Sequence, residues 1–172
     1  MNDHSSNNIT LIGMPGAGKS TIGIVLAKVL GLDFLDSDLL IQKEEGRLLW
    51  QIIRDEGSDG FARIEERVNS SIQVQNAIIA TGGSVVYSDK AMQHLRSIST
   101  VIYLQTSCAT LAARLGDLTK RGVTFRPGQT LEDLYNERIP LYEKYAHITV
   151  SLDDYDVQHA VHQIQKILES RD

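Results

Sequence analysis

Short apolar runs alternate with longer amphipathic stretches along the chain. Ile, Val and Leu crowd residues 8–13, 33–36, 77–81, 100–104 and 147–151. Dense runs of this kind predict strands buried on both faces of a parallel sheet. Helical periodicity between them predicts helices over 18–30, 38–45, 48–55, 60–74, 89–96, 107–114, 130–145 and 156–169. Strand and helix in alternation predict an α/β chain, with a five-stranded parallel sheet flanked by helices on both faces. One stretch breaks the rhythm. Residues 115–129 hold Gly116, Gly122, Pro127 and Gly128 beside Lys120, Arg121 and Arg126, with little apolar patterning. A segment of that length is either a functional lid or a passive loop.

Composition narrows the classes of partner. A chain of 172 residues reads as one domain, 1–172, with a sizeable core and a frayed, polar N-terminus over 1–7. Its net charge of -5 argues against nucleic acid as a partner, which selects for a basic excess. The basic residues gather at Arg114, Lys120, Arg121 and Arg126, either to face a phosphate site or as a solvated loop. A single cysteine, Cys108, rules out an internal disulfide, fits a reducing compartment and reads as packing. No apolar run reaches membrane-spanning length, and the first residues lack the apolar core of a secretory signal. The expectation is a cytoplasmic monomer with no membrane partner.

Gly13-Met14-Pro15-Gly16-Ala17-Gly18-Lys19-Ser20 matches the phosphate-binding pattern G-x-x-x-x-G-K-[ST] in full. It lies between a predicted strand and a predicted helix, the context the pattern requires. Its glycines turn backbone N–H groups toward phosphate oxygens, and the helix N-terminus adds partial positive charge. Lys19 can reach the transferred phosphate, and the Ser20 hydroxyl can ligate Mg²⁺. This P-loop favours the lid reading of 115–129, because phosphoryl transfer needs water excluded and positive charge over the phosphates.

Three further motifs stand at strand ends or in the segments after them. Asp36-Ser37-Asp38 ends the second strand. Carboxylates at i and i+2 share a side, so one can hold a hydrated Mg²⁺ while the other orients or deprotonates a hydroxyl. The same residues suit a helix start, with Ser37 or Asp38 as N-cap. Thr81-Gly82-Gly83 ends the third strand, where glycines allow either close approach to a ligand or a plain tight turn. Arg126 and Arg138 carry guanidinium forks suited to phosphate or carboxylate, though either can be a surface residue.

The order and spacing of these motifs resemble the shikimate kinases, which are nucleoside-monophosphate-kinase-like P-loop proteins, over almost the whole chain. The resemblance adds Phe61 to Glu66 and Arg138-Ile139-Pro140-Leu141-Tyr142 to the motifs above. It implies a three-layer P-loop kinase fold with acceptor-binding helices at about 38–74 and a mobile lid at about 115–129. It implies ATP and Mg²⁺, and phosphorylation of the 3-hydroxyl of shikimate in aromatic amino-acid biosynthesis. Gly13, Gly16, Ala17, Gly18, Lys19, Ser20 and Thr21 would bind ATP, with Arg121 at the adenine and Arg126 closing over the phosphates. Ser20 would ligate Mg²⁺ and Asp36 would hold it through water. Asp38 would be the base, and Gly82, Gly83 and Arg138 would bind the acceptor. Asp38, Lys19 and Arg126 would carry the catalysis.

The chain departs from the family pattern at the acceptor end. Where the family has an arginine after the phenylalanine, which clamps the acceptor carboxylate and is held by a glutamate three residues on, this chain has Ala62 and Glu65. Arg63 and Glu66 keep the same spacing one residue later. Either an insertion in the turn at 57–60 brings Arg63 into the clamp, or Arg63 points about 100° away around the helix. The third glycine of the turn is Ser84, and the lid reads Arg126-Pro127-Gly128-Gln129 in place of Arg-Pro-Leu-Leu. A lost charged contact of this kind costs on the order of 2–5 kcal/mol, roughly 30-fold to several thousandfold in binding. Three readings stand: a shikimate kinase, a related kinase for another small hydroxylated acceptor, and a nucleotide-binding module without catalysis.

Overall fold

The computed structural model describes residues 7–115, 125–153 and 155–170. Its elements run β1 (Ile9–Ile12), α1 (Lys19–Leu30), β2 (Asp33–Asp36), α2 (Ser37–Glu45), α3 (Leu49–Ser70), β3 (Ala77–Ala80), α4 (Asp89–Ile98), β4 (Thr100–Gln105), α5 (Cys108–Leu115), α6 (Leu131–Tyr145), β5 (Ile148–Ser151) and α7 (Val157–Glu169). A short 3-10 turn, Val85–Tyr87, sits between β3 and α4. The strands form one parallel sheet in the order β2-β3-β1-β4-β5.

Strand alternation divides the core in two. Ile9 and Leu11 of β1 face one side, with Ile78, Ile102 and Leu104, and pack against α1 and α7 through Leu26 and Ile164. Ile12, Ile79, Val101 and Tyr103 face the other, against Met92 and Leu95 of α4 and Tyr142 of α6. A period of two along each strand produces this division. Buried strands flanked by helices on both faces give the three layers expected.

β1 connects through α1 to the outer strand β2, and β3 then returns to lie between them. Chain direction along the sheet reverses beside β1, and open α/β sheets bind ligands outside the carboxyl ends of their strands at such a point. The opposite end is tied down by Asn8. Its buried side chain donates to Val74 O (2.8 Å) and Ile98 O (3.1 Å) and accepts from Ala77 N (3.0 Å).

Two expectations change here. The helices predicted over 48–55 and 60–74 both form within the span of α3 and are divided at Gly57, where φ is 71° and ψ is 178°, outside helical geometry. Only Gly57 leaves helical geometry, so the expected turn over 57–60 contracts to a single kink. The helix also stops at Ser70 rather than 74, where Ser71 turns back through its N–H and hydroxyl onto Val68 O. α2 and α3 enclose their own small core of Ile41, Ile52, Phe61 and Val68. The segment read as a lid lies, over 116–124, outside the described residues.

Candidate active site

The loop after β1 ends at Gly18, which is left-handed (φ 95°) and precedes the first turn of α1. Lys19 then begins the helix with its side chain buried back along the loop. Its ammonium donates to Gly13 O (2.7 Å) and Met14 O (2.9 Å). Burial pushes its pKa down to about 8, although the nearby Asp38 and Asp36 carboxylates oppose the shift. Gly16, Gly18, Lys19, Ser20 and Thr21 line a cavity of about 260 Å³ at the mouth of the loop. Gly13 and Ala17 support the loop from behind. A Cβ on Gly13 would lie 2.8 Å from Leu104 O, and Ala17 packs into the core on the α1 side.

The loop after β2 meets the same cavity. The Ser20 hydroxyl donates to Asp36 Oδ2 at 2.7 Å. Asp36 Oδ1 accepts from the N–H groups of Asp38 (2.9 Å) and Leu39 (3.2 Å). Asp36 is therefore the N-cap of α2, not Ser37 or Asp38 as expected. The helix begins one residue earlier than its apolar pattern suggests, which puts Ser37 inside it. One carboxylate thus fixes both the start of α2 and the hydroxyl of Ser20. Asp38 points into the cavity, and burial together with the Asp36 charge pushes its pKa up to about 6.

The loop after β3 completes the wall. Thr81 Oγ1 donates to Leu11 O (2.9 Å), joining this loop to β1. A Cβ on Gly82 would lie 2.8 Å from Asp38 Oδ1 and 2.9 Å from Glu65 Oε1. One on Gly83 would lie 2.8 Å from Pro15 Cδ and 3.0 Å from Arg138 Nη1. A Cβ on Gly82 would displace the two carboxylates, and one on Gly83 would press on the rigid Pro15 ring, because side chains converge on the backbone there. Arg138 reaches the cavity from α6, buried, with its guanidinium over the Tyr87 ring (5.2 Å) and Nε donating to Tyr87 Oη (3.3 Å). Tyr142, one turn further on, donates to Gly83 O at 2.6 Å. The structure therefore gathers Lys19, Ser20, Asp38, Gly82, Gly83 and Arg138 around one cavity, with Asp36 behind Ser20.

A family model for shikimate kinase matches residues 15–169. The chain belongs to the shikimate kinase family. The shikimate kinase of Haemophilus influenzae (strain PittEE) is 40% identical over 95% of this chain and 93% of its own length. Shikimate kinase 1 of Salmonella newport is 41% identical over 95% of this chain and 96% of its own. A shikimate kinase from Acinetobacter baumannii, solved in complex with shikimate, superposes with a TM-score of 0.87 at 31% identity, covering 97% of this chain and 95% of that one. Enzymes of the shikimate kinase family are phosphotransferases that act on an alcohol group and use ATP.

Against the shikimate kinase pattern, the two acceptor-end departures form one arrangement. Glu65 is buried on the cavity wall, and the Ser84 hydroxyl lies 2.9 and 2.8 Å from its two carboxylate oxygens. Ser84, standing in place of the third glycine, supplies the hydrogen bond that an arginine at position 62 would give this glutamate. Burial pushes the Glu65 pKa up to about 7, with the Ser84 hydrogen bond opposing and the Asp38 charge reinforcing. Arg63 is not brought to this cavity. It is exposed and lines the neighbouring one, of about 460 Å³, with Ala62, Tyr87 and Arg126. Nor does Glu66 hold Arg63, since it accepts from the Ser88 hydroxyl at 2.6 Å.

Arg126 also lines the second cavity, away from the phosphate loop, with Nη2 donating to Glu137 Oε1 at 2.7 Å. Arg121 lies outside the described residues. Sequence reasoning missed Glu137 and Tyr87, which link Arg126 to Arg138: the Tyr87 hydroxyl donates to Glu137, and Arg138 donates to Tyr87. Arg114, read only as part of a basic group with a phosphate site or solvent to face, donates from Nη1 to Gly16 O of the phosphate loop at 3.4 Å. The basic cluster at 114–126 was the only sequence signal for that contact.

Proposed function

We propose that the chain transfers the γ-phosphoryl group of ATP to a hydroxyl of a small hydroxylated acceptor, shikimate at its 3-hydroxyl being the first to test. What supports this reading is the convergence of the loops after β1, β2 and β3, with α6, on one cavity holding Lys19, Asp38 and Arg138. The donor's phosphates lie on the loop N–H groups and the N-terminus of α1. Lys19, now held by loop carbonyls, exchanges those partners for phosphate oxygens and neutralises charge there.

Ser20 and Asp36 suit Mg²⁺. They offer hard oxygens already joined by a hydrogen bond beside the loop. Mg²⁺ typically binds through one or two protein oxygens plus phosphates, keeping its remaining waters. When bound, Mg²⁺ would offset charge between the phosphates and hold them in line.

Asp38, across the cavity, orients the acceptor hydroxyl and accepts its proton as the new O–P bond forms and the bond to ADP breaks. Arg138 binds the acceptor's anionic group, and Gly82 and Gly83 let the acceptor approach backbone. Arg126 adds positive charge once it leaves Glu137. Positioning and electrostatics supply most of the rate. On this reading the enzyme acts as a cytoplasmic monomer. No helix among the described residues is long and apolar enough to cross a membrane.

The test is an ADP-release assay coupled to product analysis, over shikimate, other cyclic polyols and hydroxy acids. A phosphate monoester formed on an acceptor hydroxyl supports the reading. ATP binding without transfer to any acceptor refutes it.

A further inference from the structure

The far end of the acceptor cavity keeps the glutamate of the family pattern, Glu65, without the arginine expected at position 62. Its lining pairs two cations, Lys19 and Arg138, against two carboxyl groups, Asp38 and Glu65. Lys19 is turned to the phosphate loop, so Arg138 alone serves an anionic acceptor group. Glu65 and Asp38 flank Gly82: one atom placed as its Cβ would meet both, at 2.9 and 2.8 Å. The two Glu65 oxygens share the single proton of Ser84 and retain acceptor capacity toward the cavity.

Neighbouring residues do not restore a clamp. Arg63 faces the second cavity and Glu66 is engaged with Ser88. Phe61, Glu65, Ser84 and Arg138 wall both cavities, so the space beside Ala62 adjoins the acceptor. While ionised, the buried Glu65 would meet a carboxylate oxygen as acceptor against acceptor, with like charges. A hydroxyl or ammonium there would complete the hydrogen bonding.

We propose that Glu65, oriented by Ser84, is a specificity-determining residue that selects acceptors presenting a hydrogen-bond donor at this end of the cavity. The acceptor class is then a polyol or amino alcohol that presents a hydroxyl or ammonium to Glu65, with any carboxylate left to Arg138. Shikimate binds more weakly than such an acceptor. This inference rests on the kinase reading above.

The experiment is calorimetric titration of the Mg²⁺–ADP complex of the enzyme with shikimate and with its analogue bearing a hydroxymethyl group in place of the carboxylate. Serinol serves as the amino-alcohol arm, separating ammonium from hydroxyl recognition. The enzyme is expected to bind the hydroxymethyl analogue or serinol at least as tightly as shikimate. The Ala62→Arg/Ser84→Gly double variant should reverse that order, strengthening shikimate roughly 30-fold or more. If the double variant fails to fold, Glu65→Gln decides: it should weaken the donor-bearing ligands more than shikimate. Tenfold tighter binding of shikimate by the unmodified enzyme overturns the inference, as does failure of all three ligands to bind. Failure of phosphoryl transfer to any acceptor would refute the kinase reading separately, because the titrations need no turnover.

Discussion

Two stacked tyrosines allow a matched test of what holds the acceptor wall in place. Tyr103 of β4 and Tyr142 of α6 are both buried, with ring centroids 5.0 Å apart and planes inclined by 23°. Their hydroxyls differ. That of Tyr142 donates to Gly83 O at 2.6 Å, while that of Tyr103 has no hydrogen-bond partner among the described residues. Tyr142→Phe keeps the ring and strands the half-buried Gly83 carbonyl, at a cost of about 1–3 kcal/mol. For a domain of this size each kcal/mol lowers Tm by roughly 2–4 °C, so the expected fall is about 2–12 °C. The urea midpoint should drop at unchanged m. Gly83 and Arg138 share that wall, so KM for the acceptor should rise while KM for ATP holds. Tyr103→Phe removes a hydroxyl that gains nothing in the fold and should leave stability unchanged or improved by about 1 kcal/mol. Equal losses in the two variants, or a larger loss at Tyr103, would refute the assignment of the Tyr142–Gly83 bond as the strut of this loop.

Other outcomes follow from the same geometry. Asp38→Asn should lower phosphoryl transfer by about 10²–10⁴-fold while retaining ATP binding in a fluorescent-nucleotide titration; undiminished transfer would remove Asp38 from the role of base. The Asp38 pKa near 6 and the Lys19 pKa near 8 predict a bell-shaped profile. Activity should fall as pH drops and Asp38 takes up a proton, and nucleotide affinity should fall as pH rises and Lys19 loses its charge. Steady-state kcat/KM for each substrate between about pH 5 and 9 reads both limbs. Ser88→Ala removes the N-cap of α4, whose oxygen accepts from Ala91 N at 3.1 Å, and frees Glu66. It should cost about 1 kcal/mol in urea denaturation.

The central strands were legible because burial on both faces leaves dense apolar runs; all four residues of β3 are buried, whereas none of the edge strand β2 is. The phosphate loop was legible because its chemistry lies in eight contiguous residues. The break in α3 was legible at Gly57, which leaves helical geometry. A Cβ on Gly60 would lie 2.5 Å from Glu56 Cβ, far inside the about 5–6 Å between such positions in a regular helix, so the kink accounts for that glycine too. The turn at Val85–Tyr87 has no period to reveal it, since Val85 and Val86 are adjacent and both buried. At the acceptor end, local pattern could flag Ala62 and Ser84 as departures but could not join them. Glu65 and Ser84 lie nineteen positions apart, and only the packing of α3 against the loop after β3 makes them partners. The placement of Arg126 depends likewise on Glu137 of α6.

The tie at Asn8 bears on how the enzyme can be handled. Its side chain fastens the sheet at the rim where β1 begins, and the cavity beside the phosphate loop opens at the rim where β1 ends. Four strand residues separate the two, about 13 Å at 3.3 Å per residue. A tether or solid support attached ahead of residue 7 therefore departs from the far side of the sheet. An enzyme immobilised that way keeps its entrance clear, provided the join leaves Asn8 in place.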